Sequence, residues 1–415
     1  MTTLKVIPKK LNGIVTVPPS KSMAHRAVIC ASLADGRSVI SNIQLSDDIK
    51  ATIEGMRAFG AVILHDGDTL TIDGVGLGTS RRSQKIDCNE SGSTLRFLVP
   101  LATLFEGETR FTGKGKLGQR PLKTYQEIFE YQSLRYESAP TDLLDLTIEG
   151  HLKPGIYEMA GDISSQFITG MLLTLPLLDG ESALKITTNL ESKGYIDLTL
   201  SVLSTFGIEI DHDKEYKYFK IKGNQSYQAQ DYEVEGDYSQ AAFWLSARKL
   251  ANEISVEGLN EDSLQGDREI VEILEELSKQ MDERVIDGAQ VPDIIPIVAL
   301  VAALSKGTTR LINLERLRIK ESDRLMATQK ELVTLGAKIE VVGDALHIEG
   351  IPILEGGQEV WSHKDHRMAM MLAIASTMCK EPIIIKDTEC VKKSYPDFWE
   401  VFQEAGGEIH EWNMG

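Results

Sequence analysis

Residues 298–314, VALVAALSKGTTRLINL, and residues 332–350, LVTLGAKIEVVGDALHIEG, decide how this chain folds. The first is an apolar run of helical length, a short polar turn and a strand. The second is the end of an amphipathic helix, a break at Gly336, and a stretch that alternates as a half-buried hairpin should. Both phrases recur. The first returns at 27–43 (AVICASLADGRSVISNI), 97–115, 170–190, 243–259 and 372–390. The second is clear at 56–74 and 203–223, weaker at 129–150 and 274–288, and truncated at 402–412. They alternate with a period of about seventy residues, longer than the usual solenoid repeats.

Each repeat therefore reads helix–strand–helix–strand–strand, with one more strand ahead of the first helix. The first helices are apolar nearly all round, as at 97–104 and 294–304, which predicts that they are buried. The second helices are amphipathic, as in Leu325, Leu332 and Leu335, and are expected to cover the outside. Six such units exceed one ordinary core, so the chain is expected to split after the third. The polar stretch 224–230, NQSYQAQ, is the expected link. The fold class is α/β: two similar lobes, each of three βαβαββ units.

Composition narrows the partners. The net charge is −18 over 415 residues, which argues against a nucleic-acid or anionic-membrane binder. A small anionic substrate remains compatible if positive charge is gathered in one place. No opening run resembles a signal peptide and no uninterrupted apolar span could cross a bilayer. The four cysteines form no CxxC pair and suit a reducing cytosol. His363 and His366 lack further ligands at metal spacing, so no metal is expected.

The chemistry collects at helix starts. In Val17-Pro18-Pro19-Ser20-Lys21-Ser22-Met23-Ala24-His25-Arg26, two prolines stop a strand and the following residues open a helix. The helix dipole disfavours cations there, yet Lys21 and Arg26 both sit within the first turns. Such an end is suited to holding an anion. The other first helices open on Gly92 to Arg96, on Asp162 to Gln166, on Asp237 to Gln240, on Pro292-Asp293, and on Lys364 to Arg367. Capping explains Asp237, Ser239 and Asp365 well enough, but not Gly92, Arg96, Gln166 or Arg367. The second helices open on Arg120-Pro121, Ser192-Lys193, Arg318 to Arg324, and Lys392 to Pro396. Arginine forks and backbone N–H groups together suit phosphate and carboxylate. Asp293 and Glu321 stand among these cations and are either caps, ion-pair partners or proton carriers. No GxxxxGK[ST] loop, strand-following GxGxxG or GxSxG elbow is present.

On PPSKSMAHRA, NESGSTLR, GQRP, DISSQF, ESKGYIDLTL, VPD, RIKESDRL, KDHRMAM and VKKSYPDFW, the chain resembles the EPSP synthase family of enolpyruvyl transferases over essentially its whole length. The resemblance implies an inside-out α/β barrel in each lobe. The N-terminal strand would join the second lobe, giving lobes 15–227 and 1–14 plus 228–415 with the active site in the cleft between them. It implies transfer of the enolpyruvyl group of phosphoenolpyruvate to the 5-hydroxyl of shikimate 3-phosphate, without cofactor, by a cytoplasmic monomer. Lys21, Ser22 and Arg26 would contact the shikimate part. Ser164, Ser165 and Ser192 would hold its phosphate, with Lys320 nearby and Gln166 against the ring. Phosphoenolpyruvate would meet Lys21, Gly92, Arg120, Gln166, Arg324, Arg367 and Lys393. Asp293 would accept the hydroxyl proton, and Glu321, with Lys21, would handle the proton at the methylene carbon. Arg316, Phe97 and Ser93 depart from the better-known pattern of the family. Two rivals remain: a UDP-N-acetylglucosamine enolpyruvyl transferase, which should lack the SKSxxxR and SSQ motifs, and a non-catalytic scaffold of α/β repeats.

Overall fold

The computed structural model describes residues 2–76, 83–139 and 143–412. Residues 140–142, in the weak hairpin phrase of the second repeat, lie outside them. The chain divides into an N-terminal unit, Pro19–Glu235, and a C-terminal unit made of Met1–Pro18 and Gly236–Gly415. Both crossings fall a few residues later than the sequence indicates, for a hydrogen-bonding reason. Strand Asn12–Thr16 runs parallel to Glu253–Glu257, and the next bonds are Val17 N–H to Glu257 O (3.0 Å) and Asp237 N–H to Pro18 O (2.9 Å). Through Pro18 the chain is thus tied to the C-terminal unit. The polar stretch 224–230 is not the link. Its Asn224 and Gln228 amides donate to Leu178 and Phe206 carbonyls at 2.8 and 2.9 Å, and Tyr227 is buried.

In the N-terminal unit the helices are α1 (Lys21–Leu33), α2 (Asp47–Ala58), α3 (Gly92–Leu101), α4 (Lys123–Tyr131), α5 (Ser165–Thr174) and α6 (Lys193–Thr205). Nearly all residues of α1, α3 and α5 are buried, while strands such as Ile156–Met159 bury every second side chain. These three helices are therefore the core and the sheets its half-wet cover, the reverse of ordinary α/β layering, while α4 and α6 bury only one face. Gly170 shows how tight the core is. A Cβ there would come within 2.3 Å of the Arg96 carbonyl and the Tyr125 hydroxyl, so α3 and α5 need glycine at this contact.

The second and third repeats build the same sheet. In the second, Gln84–Asp87 runs parallel to Thr109–Thr112, which pairs antiparallel with Asp145–Glu149 and that with Arg135–Ser138. The first repeat has an exchanged part: the strand ahead of α1 pairs in the C-terminal unit, and its place beside Arg37–Ser41 is filled by Tyr232–Glu233.

The C-terminal unit contains α7 (Tyr238–Lys249), α8 (Ile270–Glu276), α9 (Ile295–Ala303), α10 (Arg324–Thr334), α11 (His366–Ser376) and α12 (Phe398–Glu404). Every residue of α9 and α11 is buried. The N-terminal strand Leu4–Ile7 completes the sixth sheet between Ile383–Lys386 and Glu408–Glu411. The fourth repeat departs from the pattern. Strand Glu283–Asp287, expected in its hairpin, instead runs parallel to Thr308–Ile312 and leads the fifth sheet. Between α8 and Pro292 the chain forms a single strand, and that strand serves as the parallel leading edge of the fifth sheet rather than as half of a hairpin. No helix among the described residues is long and apolar enough to cross a membrane.

Candidate active site

In the N-terminal unit the helix starts are joined by side chains lying one turn further in. Lys21 opens α1, and its Nζ lies 3.0 Å from Oδ2 of Asp48 in the first turn of α2. Below that pair, His25 Nδ1 meets Thr52 Oγ1 at 2.7 Å, and Thr52 meets Thr94 Oγ1 at 2.7 Å, linking α1, α2 and α3. Burial lowers the His25 ring to about 3, so it is a neutral strut.

Arg26 links α1 to α5 and α6. Its Nε donates to Thr199 Oγ1 (2.8 Å), Nη1 to the Ser22 carbonyl (2.6 Å) and Nη2 to the Tyr195 carbonyl (3.0 Å). The Phe97 ring lies 5.2 Å from the guanidinium carbon. Among the described residues all its hydrogen-bond partners are neutral oxygens, it is 3% exposed, and burial lowers its pKa to about 10. A buried cation so poorly neutralised attracts an anion. The loops ahead of α5 and α6 are bonded directly, Glu191 N–H to Gly161 O at 3.1 Å. Ser164 caps α5 by accepting from Gln166 N–H at 3.3 Å, and Ser165 is the first residue of that helix. Ser192 precedes α6 with a left-handed φ of 56° and is buried. That conformation costs a non-glycine residue about 1 kcal/mol, a strain common at ligand-holding positions.

Gly92 begins α3, and a Cβ there would come 2.7 Å from Arg120 Nη1. Glycine thus lets the guanidinium lie against the helix start. Gln166 is held on both sides: its Nε2 donates to Ser93 Oγ (2.9 Å) and its Oε1 accepts from Arg96 Nη1 (2.6 Å).

The C-terminal unit carries the remaining residues. The cap position of α9 is Ile294, so Asp293 stands one residue ahead of it, and Asp323, not Glu321, caps α10. Both turn to cations. Asp293 Oδ1 accepts from Arg324 Nη1 (2.7 Å) and Lys320 Nζ (3.3 Å), and Arg367 Nη2 lies 3.7 Å from its Oδ2. Glu321 accepts from Arg324 Nη2 (2.7 Å), with Lys393 Nζ at 3.6 Å. Arg324, 1% exposed, also donates through Nε and Nη2 to Asp365 at 2.8 and 3.2 Å. Burial would raise the Asp293 carboxyl, but Lys320, Arg367 and Arg324 outweigh it and hold the group well below the usual range. Burial pushes Lys320 down to about 8 despite Asp293, with Arg316 and Arg324 adding to the effect.

The structure thus gathers Lys21, Ser22, Arg26, Gly92, Arg120, Ser164, Ser165, Gln166 and Ser192 at helix starts of one unit. It gathers Asp293, Lys320, Glu321, Arg324, Arg367 and Lys393 in the other. Sequence reasoning missed Asp48, which looks like an ordinary first-turn acid behind the capping Ser46. For Asp365 and Ser239 the sequence favours capping. Asp365 does cap α11, but its second task is to hold Arg324, and Ser239 donates instead to Asp267.

The family model of EPSP synthase (3-phosphoshikimate 1-carboxyvinyltransferase) matches residues 6–402. Curated relatives named 3-phosphoshikimate 1-carboxyvinyltransferase, from Clostridium botulinum (strain Alaska E43 / Type E3) and Clostridioides difficile (strain 630), are each 55% identical, with 100% of both chains covered. The structure of EPSP synthase from Acinetobacter baumannii superposes with a TM-score of 0.81 at 23% identity, covering 100% of both chains. The enolpyruvyl transferase NikO from Streptomyces tendae superposes at 0.80 with 16% identity, covering 100% of this chain and 99% of that one. These two likenesses show the fold, and the curated relatives with the family match show more: the chain belongs to the EPSP synthase family.

Proposed function

We infer that this chain transfers the enolpyruvyl group of phosphoenolpyruvate to the 5-hydroxyl of shikimate 3-phosphate, releasing phosphate. The observation that carries the residue assignment is the Asp293–Lys320–Arg324–Arg367 cluster, a carboxylate held among three cations. In this reading Ser164, Ser165, Ser192 and Lys320 hold the 3-phosphate, and Lys21, Ser22 and Arg26 hold the shikimate ring substituents. Phosphoenolpyruvate lies against Lys21, Gly92, Arg120, Gln166, Arg324, Arg367 and Lys393.

Asp293 takes the proton of the 5-hydroxyl as its oxygen bonds to C2 of phosphoenolpyruvate. The C2–C3 π pair takes a proton at C3, from Glu321 with Lys21, giving a tetrahedral intermediate. The C2–O bond to phosphate then breaks, and C3 returns its proton as the double bond re-forms. The cations stabilise the departing phosphate. In the free protein Asp293 is a weak base, because three cations hold its proton affinity down. Two bound phosphates would neutralise those cations and raise it toward a useful value.

The test is phosphate release from phosphoenolpyruvate with shikimate 3-phosphate, and separately with UDP-N-acetylglucosamine. Release with the first acceptor alone is expected. Release only with the sugar nucleotide overturns the acceptor, and silence with both from folded protein favours the scaffold reading. Affinity for shikimate 3-phosphate should also depend on alkaline pH. Lys320 is charged below about 8 and neutral above it, so binding is full below that value and weakens as pH rises through it. The dissociation constant should rise about tenfold between pH 7 and pH 9.5 in wild type and much less in Lys320→Arg, whose charge persists. Equal pH dependence in both proteins would remove Lys320 from the phosphate site.

A further inference from the structure

Asp267 lies in the turn Gly266–Glu269 just ahead of α8 and is 2% exposed. The Ser239 hydroxyl donates to its Oδ2, while its Oδ1 is buried with no hydrogen-bond partner. Among the described residues it has no ion-pair partner, unlike Asp293, Glu321 and Asp365 in the same unit. A lone ionised carboxylate in such surroundings is costly, and the group takes up a proton instead. The same Ser239 that serves Asp267 presents its backbone carbonyl to Arg367 Nη1 at 3.1 Å, and Arg367 Nη2 lies 3.7 Å from Asp293. Asp267, Ser239, Arg367 and Asp293 thus form one connected line from a buried acid to the cluster assigned above.

We propose that Asp267 is a positioning residue for the transfer reaction: with Ser239 it sets the orientation and free charge of Arg367, and it takes a proton from solvent when an anion settles on Arg367. The proposal rests on the reading of Arg367 as a phosphoenolpyruvate contact. Facing Asp267 are Asp237 and Ser239 from α7, Asp293 from the start of α9 and Arg367 from α11. Burial, with repulsion from Asp293, lifts Asp267 to about 7 against the pull of Arg367 and Ser239. When Asp267 is ionised, Arg367 serves a second buried carboxylate and offers less of its charge to substrate. When Asp267 is protonated, that charge is available.

The experiment is kcat/KM for phosphoenolpyruvate between pH 6 and 8.5, at saturating shikimate 3-phosphate, in wild type, Asp267→Asn and Ser239→Ala. The substrate phosphate and Lys320 titrate in all three, so the readout is the ratio of variant to wild type. For Asp267→Asn, which keeps an oxygen for Ser239, the ratio should rise about fivefold across that range, carried by KM rather than kcat. Ser239→Ala, which removes the one donor to the ionised form, should move the wild-type inflection to higher pH and do nothing in the Asp267→Asn background. A ratio independent of pH, or a loss confined to kcat, overturns the proposal. If Asp267→Asn does not fold, the Ser239→Ala shift decides alone. A wild type inactive with both substrates fails the functional reading and this inference with it, whereas an active wild type with an unchanged ratio fails this inference only.

Discussion

Asp293→Asn should lower kcat by about 10³-fold or more while leaving shikimate 3-phosphate bound as tightly as before, or more tightly. A positioned general base contributes roughly 10² to 10⁴ to a rate, and the amide cannot take up the hydroxyl proton. The asymmetry between kcat and binding follows from the charges. Asp293 lies against Lys320, Arg324 and Arg367, so removing its negative charge frees three cations for the substrate phosphates. A cap or simple structural partner would behave differently: its loss would lower stability and affinity together. Steady-state kinetics and direct titration of shikimate 3-phosphate separate the cases. A kcat within tenfold of wild type would remove Asp293 from the proton-transfer role.

Arg324→Met should have the largest effect on stability. The guanidinium is 1% exposed and holds Asp293, Glu321 and Asp365, the last of them fully buried. Methionine fills much of the volume but leaves three carboxylates facing one another, with the Ser322 hydroxyl, 3.0 Å away, left as a donor to Asp365. Breaking a buried ionic network by removing one partner costs about 3–5 kcal/mol. For a unit of this size that lowers the melting temperature by roughly 10 °C. The double variant Arg324→Met with Asp365→Asn should recover part of the loss, since the stranded charge is then gone. A single variant melting within a degree or two of wild type would show that the network contributes nothing net. Activity should fall as well, because Arg324 also orients Asp293 and Glu321.

Much of this was legible in the chain because it depends on local spacing. The apolar runs at 97–104 and 294–304 form the buried helices α3 and α9, and the break at Gly336 separates α10 from its hairpin. The cations at helix starts were visible for the same reason: a residue's place in the first turn follows from the cap and the period around it. The ambiguity at Asp293 and Glu321 was resolved only by seeing which atoms they meet. Capping and ion pairing look alike in sequence, since both put an acid near a helix start.

The sequence by itself determined six alternating helix–strand units, the buried character of the first helices, and an anion-seeking chemistry in a protein of net charge −18. Only the tertiary structure decided the strand exchange that takes Asn12–Thr16 to Glu253–Glu257 and Tyr232–Glu233 to Arg37–Ser41. It alone set the crossings at Pro18 and Glu235, tied Arg26 to Thr199, and left Asp267 buried without an ionic partner among the described residues. The division has one physical cause. Helix formation and capping are settled by neighbours within about four residues, whereas strand pairing and the solvation of a charge depend on atoms the chain brings from hundreds of residues away.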